Sequence, residues 1–162
     1  MTVLAPPLDK ISEQACPYPA DMLGYGETGL CLFAAAYLGV NDSIHMARKD
    51  MVVTCVDRDA ERLDEMADLY PPYWDFHAQD AWMFAELAAN QRRCWDIVSV
   101  DTFTGTATDR SLETLDLWCS LARRAVTATI AVGQKYVCPD GWRDSLYHRS
   151  FLASWLVLYE RD

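Results

Sequence analysis

The chain has 162 residues, of which 51% are hydrophobic, so it can bury one substantial core and form a single domain. Its 24 Asp and Glu residues outnumber its 14 Lys and Arg residues, which gives a formal net charge of −10. This charge disfavours a nucleic-acid partner, because phosphates would mostly be repelled, and favours a small molecule or a protein.

The six cysteines lie far apart and form no C-x-x-C pair, and no histidine stands at metal-ligand spacing from them. We therefore expect buried free thiols and no metal site. No stretch of sequence is long and apolar enough to span a membrane, and no basic start followed by an apolar run opens the chain. These features predict a cytoplasmic protein without a membrane segment.

The first part of the chain is the least regular. Residues 1–20 contain four prolines and little periodicity, which predicts an irregular arm before a single domain of residues 21–162. Residues 20–23 are predicted as a short first strand, and a glycine turn follows them. Residues 30–38 then carry apolar side chains at helical spacing and predict a helix that opens just after this turn.

From residue 51 onward, short apolar runs alternate with amphipathic segments. The predicted strands are residues 51–56, 74–78, 96–100, 126–132 and 154–159, and the predicted helices are one capped by Asp59 and ended by Pro71, then residues 81–90 and 111–124. This alternation predicts an α/β fold with a doubly wound, mostly parallel sheet of six or seven strands and helices on both faces. In such folds ligands bind at the carboxyl ends of the strands.

Four features fall at those predicted strand ends. The turn Gly24-x-Gly26-x-x-Gly29 could bring backbone amides close to a ligand, although an ordinary flexible turn would have the same composition. Asp57 ends the second predicted strand, Asp80 follows the third and Asp101 closes the fourth. Asp57 and Asp80 could each be a plain helix cap instead, so it is the shared location of the three acids that indicates a site.

Together these residues resemble the class I S-adenosylmethionine-dependent methyltransferase family over residues 21–132. The shared pattern is a glycine loop, an acid ending strand two, an Asp-Ala pair after strand three, and Trp-Asp-Ile-Val-x-Val-Asp in strand four. The resemblance implies S-adenosylmethionine as cofactor, with Asp57 at its ribose, Asp80 at its adenine and the glycines at its methionine part. Asp101 would lie beside the sulfonium and is the candidate catalytic base. The cofactor site implied in this way comprises Gly24, Tyr25, Gly26, Asp57, Arg58, Asp80, Ala81 and Asp101.

The activity implied by the resemblance is methyl transfer to a small-molecule or protein acceptor. Three alternatives stay open. A catalytically silent methyltransferase-like subunit of a larger assembly would share the fold. An aminopropyl transferase is suggested because residues 100–105 resemble spermidine synthases. A nicotinamide-dependent oxidoreductase would explain Asp57 but leave Asp80 without a role.

Aromatic residues are concentrated towards the C-terminus of the chain. They could line an acceptor pocket, but we expect them to cover the sheet, because aromatic clusters usually belong to cores. An exposed remainder of this group would allow a homodimer or a contact in a larger assembly. The residues concerned are Tyr136, Trp142, Tyr147, Phe151 and Trp155.

Overall fold

The computed structural model of the protein describes residues 26–34, 46, 50–100, 114–131, 133–149 and 154–162. The described strands are β1 (Thr28–Leu32), β2 (Val52–Asp57), β3 (Asp75–Ala78), β4 (Trp95–Val100), β5 (Ala122–Ala131), β6 (Trp142–Arg149) and β7 (Ser154–Arg161). The described helices are α1 (Ala60–Leu69), α2 (Ala81–Asn90) and α3 (Leu115–Leu121). None of these helices is long and apolar enough to cross a membrane.

The seven strands form one sheet in the order β3-β2-β1-β4-β5-β7-β6. Neighbouring strands from β3 to β5 are parallel, whereas β7 is antiparallel to both β5 and β6. The predicted doubly wound, mostly parallel sheet is therefore confirmed. All parallel strands end at one edge of the sheet, which we call the carboxyl edge, and the opposite edge is called the amino edge.

The helices cover both faces of the sheet. On one face, α2 and α3 contribute Trp82, Ala85 and Trp118 to a core that also contains side chains of β1, β4, β5 and β7. On the other face, α1 contributes Leu63 and Met66 to a second core. A sheet covered on both faces explains why β2 and β4 are nearly continuous in apolar residues.

Local sequence signals fix the middle of the chain. Asp59 caps α1, because its carboxylate accepts a hydrogen bond from the Arg62 amide at 3.1 Å. The helix ends before Pro71, as predicted. The predicted strand at residues 51–56 corresponds to β2, and the predicted helix at residues 81–90 matches α2.

The first strand differs from the prediction. Residues 30–32 were expected to open a helix, but they form the second half of β1, where Leu30 pairs with both Thr54 of β2 and Val98 of β4. The prediction that the glycine turn follows the first strand is therefore wrong for its described part, because Gly29 lies inside β1. The remainder of the predicted helix and the predicted strand at residues 20–23 lie outside the described residues.

Two further boundaries differ near the end of the sheet. The helix predicted for residues 111–124 ends at Leu121, and Ala122 begins β5 directly, because it pairs with Trp95 of β4. Strand β6 was not predicted at all. Its sequence carries several charges and does not alternate regularly between polar and apolar residues, so it lacks the usual signal of a strand. The charges suit a strand that bonds to a neighbour, β7, on one side only.

The aromatic residues of this region cover the sheet where they are described. Tyr136 and Trp142 pack against the core on the α2 and α3 face, and Tyr147 packs against the opposite core. The expected covering role is confirmed for these three side chains. Phe151 lies outside the described residues, and of Trp155 only the backbone is described.

The cysteines are also structural in character. Cys31, Cys55 and Cys119 are buried thiols, while Cys94 and Cys138 are half-buried thiols. Burial, together with the nearby Asp116, raises the pKa of Cys119 to about 12, so its thiol stays protonated at neutral pH.

An ionic contact at the amino edge holds β1 against β4. The carboxylate of Asp96 accepts hydrogen bonds from the backbone amides of Glu27 at 2.8 Å and Thr28 at 3.1 Å. Arg123 of β5 donates to the same carboxylate at 3.3 Å. Burial alone would raise the pKa of Asp96, but these three donors together hold it below the usual value.

We expect Asp96→Asn to lower the free energy of unfolding at neutral pH by about 1–3 kcal/mol, because an amide is a weaker acceptor and leaves Arg123 without its anion. Since folding lowers the pKa of Asp96, its contribution is present above the unfolded-state pKa of about 3.9 and is lost as the pH falls through the folded-state value. Urea unfolding at a series of pH values should therefore show the variant approaching wild type in acid.

The matched control is Asp64→Asn on α1, where the side chain is exposed and the substitution should change stability little at any pH. A stability difference for Asp96→Asn that stays constant from neutral pH to acid would contradict this account of the contact.

Candidate functional site

The carboxyl edge brings together the residues that end β2 and follow β3. Asp57 is the last residue of β2 and is half-buried, and its carboxylate accepts a hydrogen bond from the Asp59 amide at 2.9 Å. Its backbone carbonyl accepts a hydrogen bond from the amide of Gln79 at 2.9 Å. Gln79 immediately precedes Asp80, so the two candidate acids are tied together through one backbone contact.

Asp80 begins α2 as its N-cap. One carboxylate oxygen, Oδ1, accepts a hydrogen bond from the Met83 amide at 3.0 Å, and among the described residues the other oxygen has no hydrogen-bond donor. Ala81 follows and is buried, so it presents little bulk at this point of the edge. Asp80 therefore has the capping role that the sequence suggested, and its second carboxylate oxygen remains available to accept a hydrogen bond from a ligand.

The chain leaves β1 through an unusual turn. Phe33, directly after β1, has a φ of 60°, in the left-handed region that bulky side chains rarely adopt. The next amide, that of Ala34, donates a hydrogen bond to the carbonyl of Val56 at 3.1 Å, so the turn stays attached to β2. Backbone strain of this kind often marks a functional segment.

The Phe33 ring packs against the first turn of α2. Its centroid lies 4.8 Å from that of Trp82, and the two rings meet edge to face. The Trp82 indole nitrogen donates a hydrogen bond to Thr114 Oγ1 at 3.3 Å, and its ring lies 6.2 Å from that of Trp118 on α3. Phe33 thus packs against the core tryptophans Trp82 and Trp118 at the start of α2, the helix that Asp80 caps.

The structure places Asp57, Arg58, Asp80 and Ala81 at the carboxyl edge on neighbouring parts of the sheet. Gly24, Tyr25 and Asp101 lie outside the described residues. The roles predicted for these residues toward a cofactor remain predictions.

Gly26 is the exception, because it precedes β1 at the amino edge. A Cβ atom at this position would lie 2.8 Å from the Cβ of Asp96, so glycine is required by the close approach of the β1 and β4 ends. Gly29 has a similar explanation, since a Cβ there would meet the sulfur of Met46 at 2.6 Å. The described glycines of the predicted motif thus serve packing, and Gly26 is not part of the carboxyl-edge site.

Sequence reasoning missed Phe33, Trp82 and Thr114. The signal for the first two was available only after β1 had been placed correctly, because Phe33 is then the first residue past a strand and Trp82 the second residue of α2. Within the described ranges, no group of three or more His, Cys, Asp or Glu side chains is arranged to hold a metal ion.

No protein-family model matches the sequence, and no curated protein matches it significantly. Solved structures do match it. Magnesium protoporphyrin IX methyltransferase (ChlM) from Synechocystis PCC 6803, solved with bound SAM, is 16% identical with a TM-score of 0.63, covering 96% of this chain and 79% of ChlM. The putative methyltransferase yhhF from Escherichia coli is 17% identical with a TM-score of 0.63, covering 84% and 77% of the two chains.

An rRNA methylase from Streptococcus thermophilus is also similar, at 14% identity and a TM-score of 0.58, covering 88% of this chain and 93% of the methylase. At these identities the comparisons show that the chain has the Rossmann-like methyltransferase fold. The comparisons also correct one prediction.

The expectation that nucleic acid is disfavoured as a partner is wrong, because proteins of this fold include an rRNA methylase. The net charge of a whole chain does not describe the charge of one local surface.

The strain at Phe33 can be measured by comparing two truncations. We expect Phe33→Gly to be more stable than Phe33→Ala by about 1 kcal/mol, because both remove the ring but only glycine adopts a φ of 60° without penalty. Urea unfolding of the two variants measures this difference.

The same pair of substitutions at Phe76 in β3 is the control, and there alanine should be the more stable variant, since glycine weakens a strand. If alanine is also the more stable residue at position 33, the turn is not strained in the way described.

Proposed function

We propose that this protein is an S-adenosylmethionine-dependent methyltransferase whose cofactor lies across the carboxyl ends of β1, β2 and β3. The observation that carries the proposal is the position of two half-buried carboxylates, Asp57 and Asp80, at the ends of neighbouring strands in a sheet with this strand order. ChlM, which has the same fold, was solved with bound SAM, and this supports the choice of cofactor.

Each side chain has a proposed role that its geometry permits. The Asp57 carboxylate accepts hydrogen bonds from the two ribose hydroxyls, beside the exposed Arg58. The second oxygen of Asp80 accepts a hydrogen bond from the adenine, and the small Ala81 leaves room for the ring. The two anions also favour the positively charged sulfonium.

Methyl transfer requires little further chemistry from the protein. The acceptor atom forms a bond to the methyl carbon as the carbon–sulfur bond breaks, so alignment of the two reactants supplies most of the acceleration. Asp101, which follows β4 directly in the sequence, is the proposed base for an acceptor that carries a proton. The proposed acceptors are small molecules and proteins, and the rRNA methylase of the same fold adds RNA to these classes.

One observation favours a second candidate, a methyltransferase-like subunit without catalysis. The turn after β1 begins with Phe33 rather than glycine, and its ring occupies the space beside Trp82. A bulky ring at this point limits the approach of backbone amides to a ligand. The proposed similarity to spermidine synthases rests on residues 100–105, of which only Val100 is described, and it stays a sequence prediction.

Titration calorimetry with S-adenosylmethionine tests the proposal and separates the two candidates. We expect binding by the wild type and about tenfold or weaker binding by Asp57→Asn, because a charged hydrogen-bond acceptor contributes about 1.5–3 kcal/mol. The asparagine retains an oxygen that can accept from the Asp59 amide, so the local turn should survive.

Asp59→Asn is the matched control, since it makes the same chemical change at a helix cap two residues away and should alter affinity less than about twofold. A folded wild-type protein that binds no S-adenosylmethionine at millimolar concentration would support the silent subunit instead. Equal losses for Asp57→Asn and Asp59→Asn would remove Asp57 from the site.

A further inference from the structure

A cleft of about 290 Å³ lies at the amino edge, where β5 begins, β6 begins and β7 ends. Its lining side chains are unusual for a protein of net charge −10, because positive charges outnumber negative ones two to one. The residues that line this arginine cleft are Arg123, Arg124, Arg143, Glu160, Arg161 and Asp162.

Arg161 lines the cleft and is bound to backbone carbonyls of the neighbouring elements. Its guanidinium donates hydrogen bonds to the carbonyls of Cys119 at 3.3 Å, Ala122 at 2.9 Å and Arg123 at 3.1 Å, at the end of α3 and the start of β5. The same group lies 4.5 Å from the ring centroid of Trp142. A cation here complements the carboxyl end of the α3 dipole, so Arg161 is structural.

Two other arginines are held in place by carboxylates that are largely buried. Arg143 contacts Glu160 through one nitrogen at 3.4 Å, and Arg123 contacts Asp96 through one nitrogen at 3.3 Å. In both pairs the carboxylate is much less exposed than the arginine, at 17% against 65% and at 15% against 56%. Each acid therefore contacts one nitrogen of an arginine side chain that is otherwise more than half exposed.

Arg124 completes the arrangement. It is exposed at the start of β5, and among the described residues it forms no ion pair. All four cations of the cleft are arginine, whose planar fork can bind two oxygens of one phosphate at once. Several arginines around one concave surface can donate to more oxygens than a single carboxylate carries, and a phosphate group supplies the additional oxygens.

We propose that the arginine cleft binds phosphate groups, with Arg124 and Arg143 as the ligand-binding side chains and Arg123 beside them. The phosphate belongs either to a small phosphorylated ligand or to an RNA backbone. The cleft is at the opposite edge of the sheet from Asp57 and Asp80, so the proposal does not rest on the proposed methyltransferase activity.

Two probes distinguish the sources of phosphate. Inorganic pyrophosphate is titrated while the arginine Nε–H signals are followed by NMR, and a fluorescently labelled oligouridylate is titrated by anisotropy at several salt concentrations. If pyrophosphate shifts only the signals of the cleft arginines and the oligonucleotide binds no more tightly than pyrophosphate, the ligand is a small phosphorylated molecule. If the oligonucleotide binds more tightly than pyrophosphate and its affinity falls steeply with salt, the ligand is an RNA backbone.

In either case Arg124→Gln should weaken binding by about tenfold, and for RNA it should lower the salt slope by about one phosphate contact. The affinity of Arg124→Lys should lie between those of the wild type and Arg124→Gln, because lysine keeps the positive charge but lacks the planar fork of hydrogen-bond donors. Arg62→Gln on α1 is the control, because it removes the same charge from another exposed arginine outside the cleft, and it should bind as wild type does.

The proposal is overturned if neither probe binds to the folded protein at low salt. It is equally overturned if Arg124→Gln and Arg62→Gln weaken binding to the same extent, since binding would then follow total charge. Arg124 and Arg62 are both exposed, so both variants should fold, and circular dichroism checks this for each.

Discussion

The structure depends on β1, a strand of five residues that must bond to neighbours on both sides. The amides of Glu27 and Thr28 are held by the Asp96 carboxylate, and a Cβ atom at Gly29 would displace the Met46 sulfur that packs against the strand. The chain turns directly after β1, and Phe33 adopts the left-handed backbone conformation of that turn. The turn lies at the carboxyl edge, where the Ala34 amide bonds to β2.

The two edges of the sheet differ in charge as well as in shape. At the carboxyl edge, Asp57 ends β2 and Asp80 follows β3, and Phe33 packs against Trp82 at the start of α2. At the amino edge, arginines from β5, β6 and β7 surround a cleft. A cationic cofactor and an anionic ligand would therefore be attracted to opposite edges of the same sheet, and the net charge of −10 conceals this separation.

Most of the fold follows from local patterns, whereas the site follows only in part. The elements from β2 to β4 were predictable because apolar runs are separated by clear caps and stops, such as Asp59 and Pro71. Strand β1 was not predictable in this way, because Leu30, Phe33 and Ala34 also satisfy helical spacing. Its pairing with two neighbouring strands is what makes residues 28–32 a strand rather than a helix. Because the first strand was predicted too early in the chain, Gly26 was assigned to the carboxyl edge instead of the amino edge. For the same reason the contact between Phe33 and the start of α2 was not predicted. Asp57 and Asp80 were easier to place, since Asp57 ends a well-defined strand and Asp80 caps a well-defined helix.

The position of β7 has a consequence for how the chain acquires its structure during synthesis. β6 precedes β7 in the chain, yet its described partner in the sheet is β7, which lies between β5 and β6. When the ribosome has made β6, the described strand that it pairs with, β7, is still missing, and the edge of β5 that β7 later covers is open. β7 supplies the missing neighbour of both β5 and β6. We therefore expect this half of the sheet to stay incomplete, and accessible to chaperones or to misassembly, until β7 has been made.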